Sequence, residues 1–164
     1  MLLPQRPYIP IGTLRRAATY PDAPESRDVA EVTEAFQRVG LDHLVARMDD
    51  EAPWDQTLSG GEKQRLAFAR IFLQNPDIIV LDEATAALDP DSQDKLMELL
   101  SKHPERSTLL SVGHRPELEA FHNRKIVLER RQGGAKLVSD IKLVQKPGRP
   151  RLLNRVLRKR FSKS

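Results

Sequence analysis

The sequence predicts an α/β fold, a parallel sheet preceded by a block of helices, and three observations carry that prediction. Ile78 to Leu81 is a short, wholly apolar, β-branched-rich run of the kind a parallel sheet buries on both faces. Past it, strand-like and helix-like patterns alternate, which implies a layered sheet with right-handed crossovers. Ahead of it, from Ser26 to Gln74, apolar residues recur mostly at helical spacing.

Taken in order, the first 25 residues hold five prolines, at positions 4, 7, 10, 21 and 24, which forbid a long helix and favour extended or looping chain. Val29, Val32, Phe36 and Val39 then mark one helix, with Gly40 suited to end it in a left-handed conformation. Leu41, Leu44, Val45 and Met48 mark a second short helix. Acidic residues and Pro53 interrupt the pattern up to Leu58. Leu66, Ala69 and Phe72 or Leu73 form the stripe of a third helix that stops before Asn75-Pro76. After the strand at 78–81, Asp89 is placed as an N-cap with Pro90 at the first helical position, and Leu96, Leu99 and Leu100 face inward. Thr108 to Val112 reads as a strand, Pro116 to Phe121 as a short helix and Lys125 to Leu128 as a third strand. Gly133-Gly134 reads as a hairpin turn into Lys136 to Val138, with Ile141 to Val144 continuing it. No internal repeat is found.

The 164 residues predict one domain, and a chain of this length needs no disulfides. None are available, because cysteine is absent, which also excludes a thiol nucleophile and Cys-ligated zinc. No apolar run approaches the roughly 18 residues of a membrane span, and Met1-Leu2-Leu3 runs directly into Pro4, Gln5 and Arg6 without a secretory core. The net charge of +4 is unevenly placed. Eight of the 27 basic residues and none of the 23 acidic ones lie between Lys146 and Ser164, so a mildly acidic body carries a basic tail.

Two stretches carry chemistry. In Leu58 to Arg65, LSGGEKQR, Ser59 and Glu62 stand in the relation of a capping box. Two glycines in a first helical turn cost about 1 kcal/mol each relative to alanine, so Gly60 and Gly61 imply a close approach to the backbone. A helix N-terminus with bare amides and a serine hydroxyl suits a phosphate. Both a well-capped helix and a phosphate site fit these residues. Asp82 and Glu83 end the apolar strand, at the sheet edge where open α/β folds bind ligands. Asp82 suits Mg²⁺, which takes few carboxylates plus waters and substrate phosphates, and Glu83 suits polarisation of an attacking water. Capping of the following turn is the other reading of the pair. His114, after Gly113, falls at the same edge, either solvated or within reach of a terminal phosphate. His43, His103 and His122 lack such a context and read as surface residues.

These elements, in this order, resemble the nucleotide-binding domain of ATP-binding cassette proteins. LSGGEKQR resembles the family signature, Ile78 to Glu83 (IIVLDE) the Walker B strand, Ala87-Leu88-Asp89-Pro90 the D-loop, His114 the switch histidine and Gln5 the Q-loop glutamine. The resemblance covers residues 1 to about 140. It implies that Ser59, Gly60, Gly61 and Glu62 contact the γ-phosphate of ATP held by a second nucleotide-binding domain in a head-to-tail dimer. It further implies that Asp82 and Gln5 serve Mg²⁺ and the lytic water, that Glu83 is the catalytic base, that Asp89 communicates across the dimer and that His114 binds the γ-phosphate. The segment after Gln5 would face a transmembrane transporter domain, at the cytoplasmic face of the inner or plasma membrane.

The fold so implied is a partial P-loop NTPase-type parallel sheet with an inserted helical subdomain at 11–74, core portions at 1–10 and 75–145, and the phosphate-loop strand and helix missing. No G-x-x-x-x-G-K-[ST] is present. The chain therefore reads as the C-terminal part of such a domain, beginning at an internal methionine, and inactive alone. Pro4 to Arg15, Trp54 ahead of the signature and Gly113-His114-Arg115 resemble most the bacterial relatives of fatty-acyl, vitamin B12 or peptide transporters with a fused membrane domain. Two other readings are a non-catalytic regulatory fragment and a DNA-repair or chromosome-type head. The second lacks the long heptad run expected before the signature, so nucleic acid is disfavoured as a partner. The tail at 146–164 reads as flexible chain or as a short basic amphipathic helix on anionic lipid.

Overall fold

The structure, a computed structural model, describes residues 1–102 and 107–144. It divides into a unit spanning Met1–Arg115 and a second from Pro116 onward.

The first unit is built on three parallel strands in the order β1 (Leu2–Leu3), β4 (Ile78–Asp82), β5 (Thr108–Val112). Leu2 pairs with Val80 and Leu3 with Leu81, while Ile78 through Asp82 match Thr108 through Val112. The register puts Gln5, two residues beyond β1, at the end of the sheet where β4 delivers Asp82 and Glu83. A two-stranded antiparallel pair, β2 (Gly12–Thr13) with β3 (Glu51–Ala52), closes the segment between them.

The helices are α1 (Leu14–Thr19), α2 (Val29–Arg38), α3 (Trp54–Thr57), α4 (Gly60–Gln74) and α5 (Pro90–Ser101). The prolines confine α1 to six residues between Pro10 and Pro21. A full capping box of Asp28 and Glu31 starts α2, and Gly40, at φ +74°, turns the chain out of it. The second short helix expected after Gly40 is a tight 3₁₀ stretch, Asp42–Arg47. Helix α4 packs on both α1 and α2. Leu66, Phe68, Ala69 and Ile71 are buried on nearly all sides, whereas Phe72 is only half-buried, beneath the Arg38 guanidinium. Trp54, Phe36 and Phe68 are the largest buried side chains, each contributing on the order of 2–3 kcal/mol through burial. The indole Nε1 of Trp54 donates to the Asp50 carbonyl at 3.1 Å.

Three further expectations are corrected. Strand β4 is not buried on both faces: Ile79 and Leu81 are buried, but Ile78 is 57% exposed. The face with Ile79 and Leu81 is buried, whereas on the other Val80 is only half-buried and Ile78 and Asp82 are exposed. In α5, Met97 is buried while Leu99 is only half-buried. The strand expected at 125–128 is β6 (Arg124–Arg131), and its sole ladder partner among the described residues is β7 (Gly134–Lys142), antiparallel.

In the second unit a 3₁₀ stretch, Pro116–Phe121, precedes this hairpin. Gly133 and Gly134 turn it at φ +91° and +137°. Ile126, Leu128, Leu137 and Val138 are exposed on it. A two-bond pair of the Arg124 guanidinium with Asp140, at 2.8 and 2.7 Å, braces the open end and holds the Asp140 carboxyl below its ordinary value.

Candidate functional site

At the sheet end, β4 delivers Asp82 with its carboxylate exposed, and the chain then turns at Glu83. Glu83 has φ +48°, the left-handed region that a glutamate enters at a cost of roughly 1–2 kcal/mol. Its amide donates to the Val112 carbonyl at 2.9 Å, so β5 holds the turn. The turned side chain meets two others. Gln5 Nε2 donates to Glu83 Oε2 at 2.9 Å, and His114 Nε2 lies 3.6 Å from Glu83 Oε1. His114 is otherwise open to solvent, 95% exposed. Gln5, Glu83 and His114 therefore meet around one carboxylate, with Asp82 one residue before it.

At the other end, Ser59 caps α4. The Ser59 amide and hydroxyl donate to Glu62 Oε2 at 2.8 and 2.7 Å, and the Glu62 amide donates back to Ser59 Oγ at 3.3 Å. His43 Nε2 meets Glu62 Oε1 at 2.8 Å. The Ser59 hydroxyl first, and then His43, hold the Glu62 carboxyl below its ordinary value against the opposing effect of burial. Gly60 and Gly61 are approached closely, as their presence implied, and the group that approaches belongs to the chain itself. A Cβ on Gly60 would stand 3.3 Å from the Ala87 side chain, and one on Gly61 3.4 Å from the Ala87 carbonyl oxygen. Asp89 caps α5 through the Asp91 and Ser92 amides at 3.1 and 3.0 Å, and its bonds to Ser92 lower its pKa.

Several residues at the junctions escaped the sequence reading. Gln64, 2% exposed, donates through Nε2 to the Gln5 carbonyl at 3.2 Å and accepts the Ala87 amide at 2.9 Å. Arg65 reaches the Gly40 carbonyl at 3.1 Å, the Ser92 hydroxyl at 2.6 Å and Asp89 at 3.8 Å. Arg70 donates to the Ala17 and Tyr8 carbonyls, both at 2.8 Å, and burial lowers its pKa to about 10. A polar residue on the inward stripe of α4 is the signal that marks Gln64 and Arg70, since buried polar groups must find partners. His43 is a surface residue as expected, and it gains a context as the partner of Glu62. His122 is corrected: its Nδ1 meets the Leu118 carbonyl at 2.8 Å and its Nε2 is buried. His103 and the 146–164 tail lie outside the described residues.

Among the described residues no three or more His, Cys, Asp or Glu side chains converge as a metal cluster. The exposed Asp82 carboxylate beside Gln5 and Glu83 fits a cation of another kind, one that takes few protein ligands and completes its shell with water and substrate phosphate, as Mg²⁺ does. No helix among the described residues is long and apolar enough to cross a membrane.

The profile of the ABC transporter family matches residues 5–86. An uncharacterized ABC transporter ATP-binding protein of Haemophilus influenzae is 37% identical over 129 residues, covering 79% of this chain and 22% of that protein. The lysosomal cobalamin transporter of Mus musculus is 39% identical over 153 residues, covering 87% of this chain and 25% of the transporter. The solved structure of a bacterial Atm1-family ABC exporter with ATP bound superposes with a TM-score of 0.72 at 28% identity, over 85% of this chain and 24% of the exporter. The chain thus spans about a quarter or less of the length of these relatives. Its parallel α/β sheet, its motifs and these likenesses agree, and the chain belongs to the ABC transporter family as a part of its ATP-binding domain.

Proposed function

We propose that this chain is the C-terminal part of an ATP-hydrolysing cassette that energises transmembrane transport. The observation that carries the reading is the convergence of Gln5 and His114 on the Glu83 carboxylate, at the strand end where Asp82 is exposed. Glu83 is the base that accepts a proton from the attacking water. Gln5, already bonded to Glu83, orients that water and shares the cation with Asp82. His114 turns its imidazole to the γ-phosphate of ATP. Bound Mg²⁺ supplies charge neutralisation on the phosphate oxygens. Ser59, Gly60, Gly61 and Glu62 present the start of α4 to the γ-phosphate of ATP held by a second nucleotide-binding domain, and Asp89 contacts that domain.

The phosphate loop belongs to a strand and helix outside these residues. Among the described residues β5 pairs on one side only, and its free edge supports a sheet that continues there. Tyr8, 60% exposed, and Ile11, 89% exposed, follow Gln5 and support a transmembrane domain as partner on that side, and with such a partner the cassette works at the cytoplasmic face of the membrane. The basic 146–164 tail adds contact with anionic lipid. Salt-sensitive sedimentation with anionic liposomes tests this last point, and a tail deletion that leaves it unchanged overturns it.

The test of the reaction is a chimera in which residues 1–144 replace the matching segment of the Haemophilus influenzae relative. Glu83→Gln is expected to lower ATP turnover by about 100-fold or more while ATP binding persists. Undiminished turnover overturns the assignment. The isolated 164-residue chain is expected to show no turnover above background.

A further inference from the structure

The contacts of Gln64 and Arg115 fall on the two ends of a single peptide unit. The N–H of Ala87 donates to Gln64 Oε1 at 2.9 Å, and the C=O of Ala86, on the same peptide plane, accepts from Arg115 Nη2 at 3.0 Å. We propose that the Ala86–Ala87 peptide is an anchor shared by the nucleotide-facing segments, and that Gln64 and Arg115 are the positioning residues that hold it. The role in ATP chemistry rests on the reading proposed above; the anchor itself does not.

Four observations support the assignment. First, each clamp joins segments far apart in sequence. Gln64 Nε2 holds the Gln5 carbonyl at 3.2 Å, so one buried amide ties Gln5 to the peptide beyond Glu83. Arg115, directly after His114, ties the switch-histidine segment to the same peptide. Second, the orientation of the Gln64 amide is determined by its partners. The Ala87 N–H needs an acceptor and the Gln5 carbonyl needs a donor, and only one flip of the amide provides both. Third, Arg115 is itself aimed. Its Nη1 donates to Gln93 Oε1 at 2.9 Å, which also accepts from the Thr85 hydroxyl at 3.0 Å, and Gln93 and Thr85 are buried. Fourth, the glycine pair leaves room beside the anchor: a Cβ at 60 would stand 3.3 Å from the Ala87 side chain, tighter than an ordinary contact, and one at 61 would touch the carbonyl of the next peptide at 3.4 Å.

A peptide is a rigid plane. With both its polar ends bonded, it cannot rotate without breaking a hydrogen bond, one of them to the buried Gln64 amide. Gln5, held through Gln64, and the segment that carries His114, held through Arg115, thereby share one reference plane, and displacement of either is transmitted to the other through it.

The full chain, labelled with ¹³C and ¹⁵N and free of nucleotide, tests this by NMR. In Gln64→Met, hydrogen exchange of the Ala87 amide is expected to accelerate at least tenfold. In Arg115→Met, the Ala86 carbonyl resonance is expected to shift, together with the Ala87 amide and the Gln5 carbonyl, which Arg115 does not touch. Arg115→Lys, which keeps a single donor nitrogen in place of the two that Arg115 uses, is expected to restore about half of those shifts. Unchanged Ala87 exchange in Gln64→Met overturns the inference. So does an Arg115→Met spectrum in which the Ala86 carbonyl moves alone. If Gln64→Met does not fold, the half-buried Arg115 and its two variants decide the matter. Failure here leaves the ATPase reading intact, and failure of the Glu83→Gln test leaves the anchor intact, because no nucleotide enters these measurements.

Discussion

At the signature turn, Ser59 and Glu62 hold each other across three residues of sequence, with bonds that an isolated helix start could make. Gln5 and Glu83, at the sheet end, hold each other across 78. The first arrangement follows from local chain geometry, with a cap in extended conformation followed by helix. The second exists only because β1 and β4 pair in one register and Glu83 accepts a left-handed backbone. One end of the site is therefore made by the helix that carries it, and the other is strained and depends on the whole unit. A strained backbone persists where the surrounding structure over-determines it, and Glu83 meets that description through its amide bond to Val112 and its side-chain bond to Gln5.

The largest stability effect that separates the two ends is expected from Arg70→Ala. It removes two charge-assisted bonds, to Tyr8 and Ala17, and is expected to cost about 3 kcal/mol in urea unfolding. Hydrogen exchange should rise first in residues 2–9, which Arg70 tethers, and least at 59–63. Equal loosening of both segments would show that the signature turn is not locally maintained. Ser59→Ala is expected to cost about 1 kcal/mol through loss of the cap, and to leave the resonances of Gln5 and His114 in place.

The acid limb of the stability curve sharpens the same contrast. The folded Glu62 carboxyl lies below its ordinary value of 4.5, so its contribution is complete above that value and is lost as pH falls through it and on through the depressed folded value. Ser59→Ala removes the largest cause of the depression, and the pH dependence of unfolding below 4.5 should flatten. A limb of unchanged slope would place the stabilisation elsewhere. The smallest effect is expected at the strained end: Glu83→Asn, a residue more tolerant of the left-handed region, should stabilise the chain by about 0.5 kcal/mol. A loss of stability there would mean that the Gln5 bond outweighs the strain.

Much of this was legible along the chain. The helix caps at Ser59 and Asp89, the break at Gly40 and the strands at 78–81 and 108–112 each depend on residue type at short spacing, and the structure has them, the first strand one residue longer. The signature glycines pointed to a close approach, and one occurs, although Ala87 makes it. What was not legible is nonlocal. His43 lies 19 residues from Glu62, and nothing in the spacing of either announces the pair. The exposed face of β4 was missed because an apolar run reports that a strand can be buried, not that something covers it.

The sequence by itself determined which residue types stand ready at each turn: a serine and glutamate to cap α4, glycines where a neighbour must come close, two carboxylates at the end of an apolar strand. These follow from propensity and hydrogen-bonding capacity, which act over three or four residues. Only the tertiary structure decided that Gln5 and His114 converge on Glu83, that Arg70 ties down the segment after Gln5, and that Gln64 and Arg115 grip one peptide from its two ends. Those contacts depend on strand register and on the packing of α4, and no short-range rule of the chain encodes either.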